Sequence, residues 1–238
     1  MTCLAIVHCR PTKTDSQLMT PTPAPRRLAF TLLVSALLLS GCVTTESNRK
    51  AYDSLAPKSP CCADLSTIPT QPIAEGQSIS FSISESSPVF AFPENKSYFA
   101  AFQLPQTPDK YTLTLRSVYA YAPSTSTQPI FHPTLLFLDE NRVVVRKIGQ
   151  ERFHYARASM FQGPGLELSV AIDERAKKPH FVVIYSELTS PDAGRPLPVP
   201  QSGGAYMVGN VVVPTYSGGG TAKSEPTPTG ELHLSIKR

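Results

Sequence analysis

The cysteine that closes Leu39-Ser40-Gly41-Cys42 carries the clearest chemistry in this chain. It follows the apolar run Leu28 to Leu39, which stands behind the basic pair Arg26-Arg27. Positive charges hold the N-terminal side back, an apolar stretch of this length enters an export channel, and small residues admit a peptidase at the bond before Cys42. The stretch is too short to remain as a membrane span. A thiol at that position can take a diacylglycerol, and the freed amine a further acyl chain, so the pattern predicts a lipobox with Cys42 as the lipidation site. Two or three chains exceed what lasting membrane attachment requires. Met19 is the expected start, because a signal of this kind runs roughly 15–30 residues. Val43, rather than an aspartate, follows the acylated cysteine and points to the outer membrane.

Other reactive side chains form no constellation. His132, His154, His180 and His233 stand apart, without Cys, Asp or Glu at ligand intervals, so no metal is expected. A nucleophile elbow, a His-Glu-x-x-His pair, a phosphate loop and a dinucleotide fingerprint are all missing from the sequence, and no cofactor is expected. Asp139-Glu140 offers two carboxylates, which at a hairpin tip read as solvated turn residues. The expectation is a protein that is not an enzyme.

Cysteine usage leaves one further pair. Cys3 and Cys9 precede the cut and Cys42 takes the lipid, so Cys61-Cys62 remain in an oxidising compartment. Neighbouring Cα atoms lie ~3.8 Å apart, below the ~4.4–6.8 Å of an unstrained disulfide. A vicinal disulfide or two free thiols are both open at this point. Charge excludes another class of partner: from Cys42 onward 18 basic residues face 17 acidic ones, with no basic cluster to serve as a nucleic-acid footprint.

The elements that must position these groups read as strands. Ser78 to Ser84 sets Ile79, Phe81 and Ile83 against serines alone, the period of two expected of a half-buried strand. Tyr111 to Tyr121, Leu166 to Ile172 and Glu231 to Lys237 repeat the alternation. Ser97 to Leu104, Thr134 to Leu138, Val143 to Ile148 and Phe181 to Tyr185 are denser apolar runs of strand length. Leu138 to Val143 reads as a tight hairpin, and a short helix is expected around Glu151 to Ala158. Turn formers between the runs, with 24 prolines, predict an all-β fold: an antiparallel β-sandwich, jelly-roll-like, of about eight or nine strands.

The expected organisation is an N-terminal overhang plus signal over 1–41, a flexible lipidated tether over 42–60, and the sandwich over 61–238. A Pro/Gly-rich excursion over 190–230 interrupts the sandwich and holds one further strand or apolar flap, Tyr206 to Val213. Aromatic faces stack on the C–H surfaces of sugar rings, which makes Tyr98, Phe99, Tyr119, Tyr121, Tyr155, Tyr206 and Tyr216 platform candidates. Tyr119 and Tyr121 share parity with Leu113 and Leu115 and are expected in the core. Tyr98, Tyr206 and Tyr216 are the ligand or partner contacts to check first.

Several blocks occur together and in order: Cys61-Cys62-Ala63-Asp64-Leu65-Ser66-Thr67-Ile68-Pro69, Ser87-Pro88-Val89-Phe90-Ala91-Phe92 and Lys96-Ser97-Tyr98-Phe99-Ala100-Ala101-Phe102-Gln103-Leu104-Pro105. Leu113 to Ser117, Phe131-His132-Pro133 before Leu136 to Asp139, and Pro228 to Leu232 follow. This arrangement resembles the maltose operon periplasmic protein family, MalM, from Cys61 to the C-terminus. The resemblance implies an exported β-rich accessory of maltose and maltodextrin transport, binding an oligosaccharide or a porin or other envelope protein. A lipid anchor at Cys42 departs from the family's plain periplasmic label. The aromatic rhythm also resembles pre-peptidase C-terminal β-sandwich domains, which bears on fold alone. The alternative is a structural envelope lipoprotein acting through protein contacts, unrelated to sugar uptake.

Overall fold

Alternation in the sequence becomes two facing sheets with different outer surfaces. The computed structural model describes residues 43–119, 127–158, 162–173, 178–208 and 211–238. The first sheet is built from β2 (Ser78–Ile83), β5 (Tyr111–Val118), β9 (His154–Ala156), β10 (Gly165–Ile172) and β14 (Gly230–Lys237), in the order β2-β14-β5-β10-β9. Its register aligns Leu234 with Ile79 and Leu115, and Val170 with Leu113, so one face is apolar except for the buried Ser117, which donates to the Phe131 carbonyl. The opposite face carries polar cross-strand pairs: Ser80 Oγ lies 2.7 Å from His233 Nδ1, Ser82 donates to Glu231, and Thr114 pairs with Ser169.

The second sheet holds β1 (Gln71–Pro72), β3 (Val89–Ala91), β4 (Lys96–Gln103), β7 (Thr134–Leu138), β8 (Val144–Ile148) and β11 (Phe181–Tyr185). Its middle strands run β4-β11-β7, and both of their faces are covered. Phe102, Val182 and Phe137 align across the inner face and pack into the core between the sheets. Ala101, Val183 and Leu136 align on the outer face, where Phe90, Phe92, Ile68 and the flank of Cys62 cover them. Double burial explains why these segments read as continuous apolar runs rather than as alternation. Phe92 stacks on Tyr185 with ring centroids 3.7 Å apart, and Arg142 lays its guanidinium over Phe181 at 3.8 Å while donating to the Ile68 carbonyl.

The chain crosses repeatedly between the sheets, joining β2 to β3 and β4, β4 to β5, β10 to β11, and finally reaching β14. All eight expected strands are present, in an all-β sandwich. The strand number is higher than eight or nine: fourteen are described. The additional ones are short edge pairings plus a third sheet, β6 (Thr127–Phe131), β12 (Pro196–Val208) and β13 (Val211–Thr227).

Three segments differ from their expected form. Val43–Leu55 is a helix, α1, not a flexible tether. Asn48, Tyr52 and Leu55 are spaced by four and three, which brings them to one side of a helix, and that side meets the sandwich. Pro57 follows the last turn and cannot continue it. The 190–230 region is not a loop excursion but the long antiparallel hairpin β12–β13. Tyr206 to Val213 is not one strand: β12 ends at Val208 and β13 begins at Val211. Glu151 to Ala158 holds a 3-10 turn at Gln150–Arg152 and the strand β9, because Gly165 to Glu167 offer a free edge for pairing. The tight hairpin is present between β7 and β8. There Asp139 accepts from the backbone of Asn141 and Val143, and Arg142 takes a left-handed φ of 62°.

Candidate functional site

The expected contacts separate on burial. Tyr98, expected as a ligand or partner contact, is instead 0 % exposed and belongs to the core. It lies on the inner face of β4, with its hydroxyl 3.4 Å from Ser54 of α1. Tyr206 and Tyr216 belong to the hairpin, where Tyr206 aligns with Val213 and Gly203 with Tyr216; their side chains lie outside the described residues. Tyr119 is buried as expected, while Tyr121 and Cys42 lie outside the described residues.

Cys61 and Cys62 hold their sulfurs against each other across adjacent residues. Cys61 donates its N–H to the Val89 carbonyl, and Cys62 rests on the apolar cluster over the second sheet. A bond here would stiffen the strap that covers that sheet's outer face.

Two polar clusters escaped sequence reasoning. At the first, His132 Nε2 lies 3.1 Å from Ser224 Oγ, and Ser224 also accepts from the Arg195 N–H at 2.8 Å. Ser–His proximity is the geometry of an activated nucleophile. Here both residues are fully buried, so no substrate carbonyl can approach the hydroxyl. Burial, with the Arg195 guanidinium nearby, pushes the imidazole pKa down to about 4. The Arg195 side chain in turn donates to the Gln150 and Phe153 carbonyls. This cluster is a structural junction that fastens β13 to the β6–β7 corner. Among the described residues no group of three metal-ligating side chains assembles.

The second cluster lies under α1. A cleft of about 210 Å³ opens between α1, the start of β4, and the Leu188–Thr189 and Pro228 backbones. Leu55, Leu188 and Pro228 give it apolar walls, whereas Tyr52, Asn95 and Lys96 line it with polar groups. Asn95 donates to the Ser186 carbonyl at 3.1 Å, which leaves its side-chain oxygen buried without a partner. The Tyr52 hydroxyl is likewise buried and unpartnered. Beside it sits Glu225, 4 % exposed, which accepts from Asn48 at 2.8 Å through Oε1 and has no partner at Oε2. Burial, with Glu225 close by, raises the Tyr52 pKa well above the ordinary phenol value, so the hydroxyl keeps its proton. The adjoining turn is pinned by Lys147, which pairs with both Glu94 and Glu187 and holds the Glu94 carboxyl below the usual carboxylate range. Lys96 closes the far end by donating to the Ala56 and Lys58 carbonyls.

The sequence signals for this cleft were the 48–52–55 spacing and Pro57. They were masked by the polar composition of Val43 to Lys50. Glu225 gave no signal, because a lone acid between Lys223-Ser224 and Pro226-Thr227-Pro228 resembles a solvated loop residue.

Among known proteins, the family model described as maltose operon periplasmic protein precursor (MalM) matches residues 94–236. No curated protein sequence and no solved structure matches this chain. The matched span is shorter than the expected one, since it begins at Glu94 and leaves out both the Cys61-Cys62 block and Ser87 to Phe92. It still covers β4 through β14, and with them both faces of the core. Spanning well over half of the chain, the match shows that this protein belongs to the maltose operon periplasmic protein family, MalM.

Proposed function

We propose that this protein is a non-enzymatic accessory of maltose and maltodextrin uptake that works by binding an oligosaccharide or a transport partner. It is exported, cut before Cys42, acylated there, and held at the periplasmic face of the outer membrane. The observation that carries the reading is the family match over residues 94–236. The burial of the Ser–His pair supports recognition over bond cleavage, and the export pattern ahead of Cys42 supports the anchor. Helix α1 begins at the residue after Cys42, so on this reading the anchor is joined to a docked helix rather than to a loose tether. Titrating the detergent-extracted protein calorimetrically with maltose, maltotriose and longer maltodextrins tests the sugar-binding half, and silence across the panel removes it.

The hairpin favours a second reading, a structural envelope lipoprotein acting through protein contacts. Beyond Leu197 and Ala222 the ladder of β12 and β13 pairs only with itself among the described residues, and Met207 is 69 % exposed near its tip. Photocrosslinkers at Tyr206 and Tyr216 in intact cells would capture an envelope partner on this reading.

A further inference from the structure

We propose that the cleft under α1 seats one pyranose ring of a neutral oligosaccharide, with Tyr52 and Asn95 as its hydrogen-bonding residues and α1 as a lid. The inference rests on the sugar-binding half of the proposed function and gives it a location.

Unpartnered polar atoms carry the argument. Buried donors and acceptors in folded proteins are almost always satisfied, by protein or by something bound. Here two residues with unsatisfied oxygens, Tyr52 at Oη and Asn95 at Oδ1, line one small cleft, and a third such oxygen, Glu225 Oε2, belongs to a carboxylate close to Tyr52. Asn95 Oδ1 can only accept, and Tyr52 keeps its proton, so the missing partner must supply a hydroxyl donor and an acceptor. Charge narrows the class further. An anion would meet the Asn95 acceptor and the Glu225 carboxylate close to Tyr52. A cation would face the Lys96 ammonium in the same wall. A neutral polyol meets neither penalty.

Shape agrees with chemistry. Leu55, Leu188 and Pro228 present apolar surface to the C–H faces of a ring, and about 210 Å³ suits a single ring rather than a chain. The remainder of an oligosaccharide would extend into solvent. The unpartnered oxygens are buried, and Tyr52 belongs to α1 itself, so entry requires α1 to ride outward about Pro57. What resists this is the burial of Leu55, the bonds from Asn48 to Glu225 and between Ser54 and Tyr98, and the bond from Lys96 to the Ala56 carbonyl just past the helix.

The test uses the full protein extracted in a detergent without a sugar headgroup, titrated with maltotriose. Tyr52→Phe and Asn95→Ala are each expected to weaken binding about tenfold, the scale of one lost hydrogen bond in a buried site. Tyr52→Phe removes only an unpartnered hydroxyl, so its melting temperature should equal or exceed that of the parent. Asn95→Ala also loses the bond to Ser186, and if it fails to fold, Tyr52→Phe carries the test alone. Parent and Tyr52→Phe binding with equal affinity would overturn this site and leave the proposed function standing. A parent that binds none of maltose, maltotriose and maltoheptaose would overturn both the site and the sugar-binding half.

Discussion

The strands β4, β7 and β11 and the hairpin β12–β13 are both long β-structure, yet opposite physics holds them. In the first group side chains decide: Phe102, Val182 and Phe137 fill the inner face, and Ala101, Val183 and Leu136 the outer one. In the hairpin, Gly203, Gly204, Gly218 and Gly219 add no side chain, and past Leu197 and Ala222 the strands β12 and β13 ladder only with each other among the described residues. Burial on two faces fixes register and stability together, while a ladder alone fixes register with little stability to spare. The two regimes meet at the His132–Ser224–Arg195 junction.

Breaking the doubly covered sheet should give the largest effect. Phe137→Ala removes a fully buried ring between the sheets and is expected to cost about 3–5 kcal/mol, read from urea unfolding. The junction should be next. A Cβ on Gly194 would fall 1.6 Å from the Ser224 carbonyl oxygen, so Gly194→Ala is expected to destabilise by about 1–3 kcal/mol, with the melting curve as the readout.

Acid probes the same junction. His132, with its pKa pushed down to about 4, is neutral in the folded protein at pH values where the unfolded chain protonates it. The unfolded state therefore binds more protons between about pH 6.5 and pH 4, and stability falls as pH drops through that window. The expected loss between about pH 7 and pH 5 is about 2 kcal/mol by urea unfolding, and His132→Asn should flatten the slope. Replacing residues 200–219 by a two-residue turn between Val199 and Gly220 should have the smallest effect. The sandwich is expected to lose less than about 1 kcal/mol, since that stretch pairs only with itself among the described residues. A loss as large as that of Phe137→Ala would show the hairpin to be part of the core.

Legibility in the sequence followed the same divide. The alternating strands β2, β5, β10 and β14 were readable because one face meets solvent. The dense runs were readable as strands through their length and aromatic content. What was missed lacked side-chain contrast. Pro196, Pro198 and Pro200 looked like a loop, yet their shared parity turns all three missing N–H groups to one side, and β12 is an edge strand that can leave that side unpaired. Helix α1 was missed because its solvent face dominates its composition. The cleft was illegible for a further reason: Tyr52, Asn95 and Glu225 are remote in sequence and come together only once α1 docks. Tyr98 misled in the other direction, since an aromatic beside serine and lysine reads as surface until strand parity turns it inward.

Hydrogen exchange of the extracted protein, with and without saturating maltotriose, tests most directly that recognition resides under α1 rather than on the hairpin. The account predicts added protection in residues 48–58 and 94–98, with no change in 199–220. Added protection confined to 199–220, or none anywhere, would contradict it.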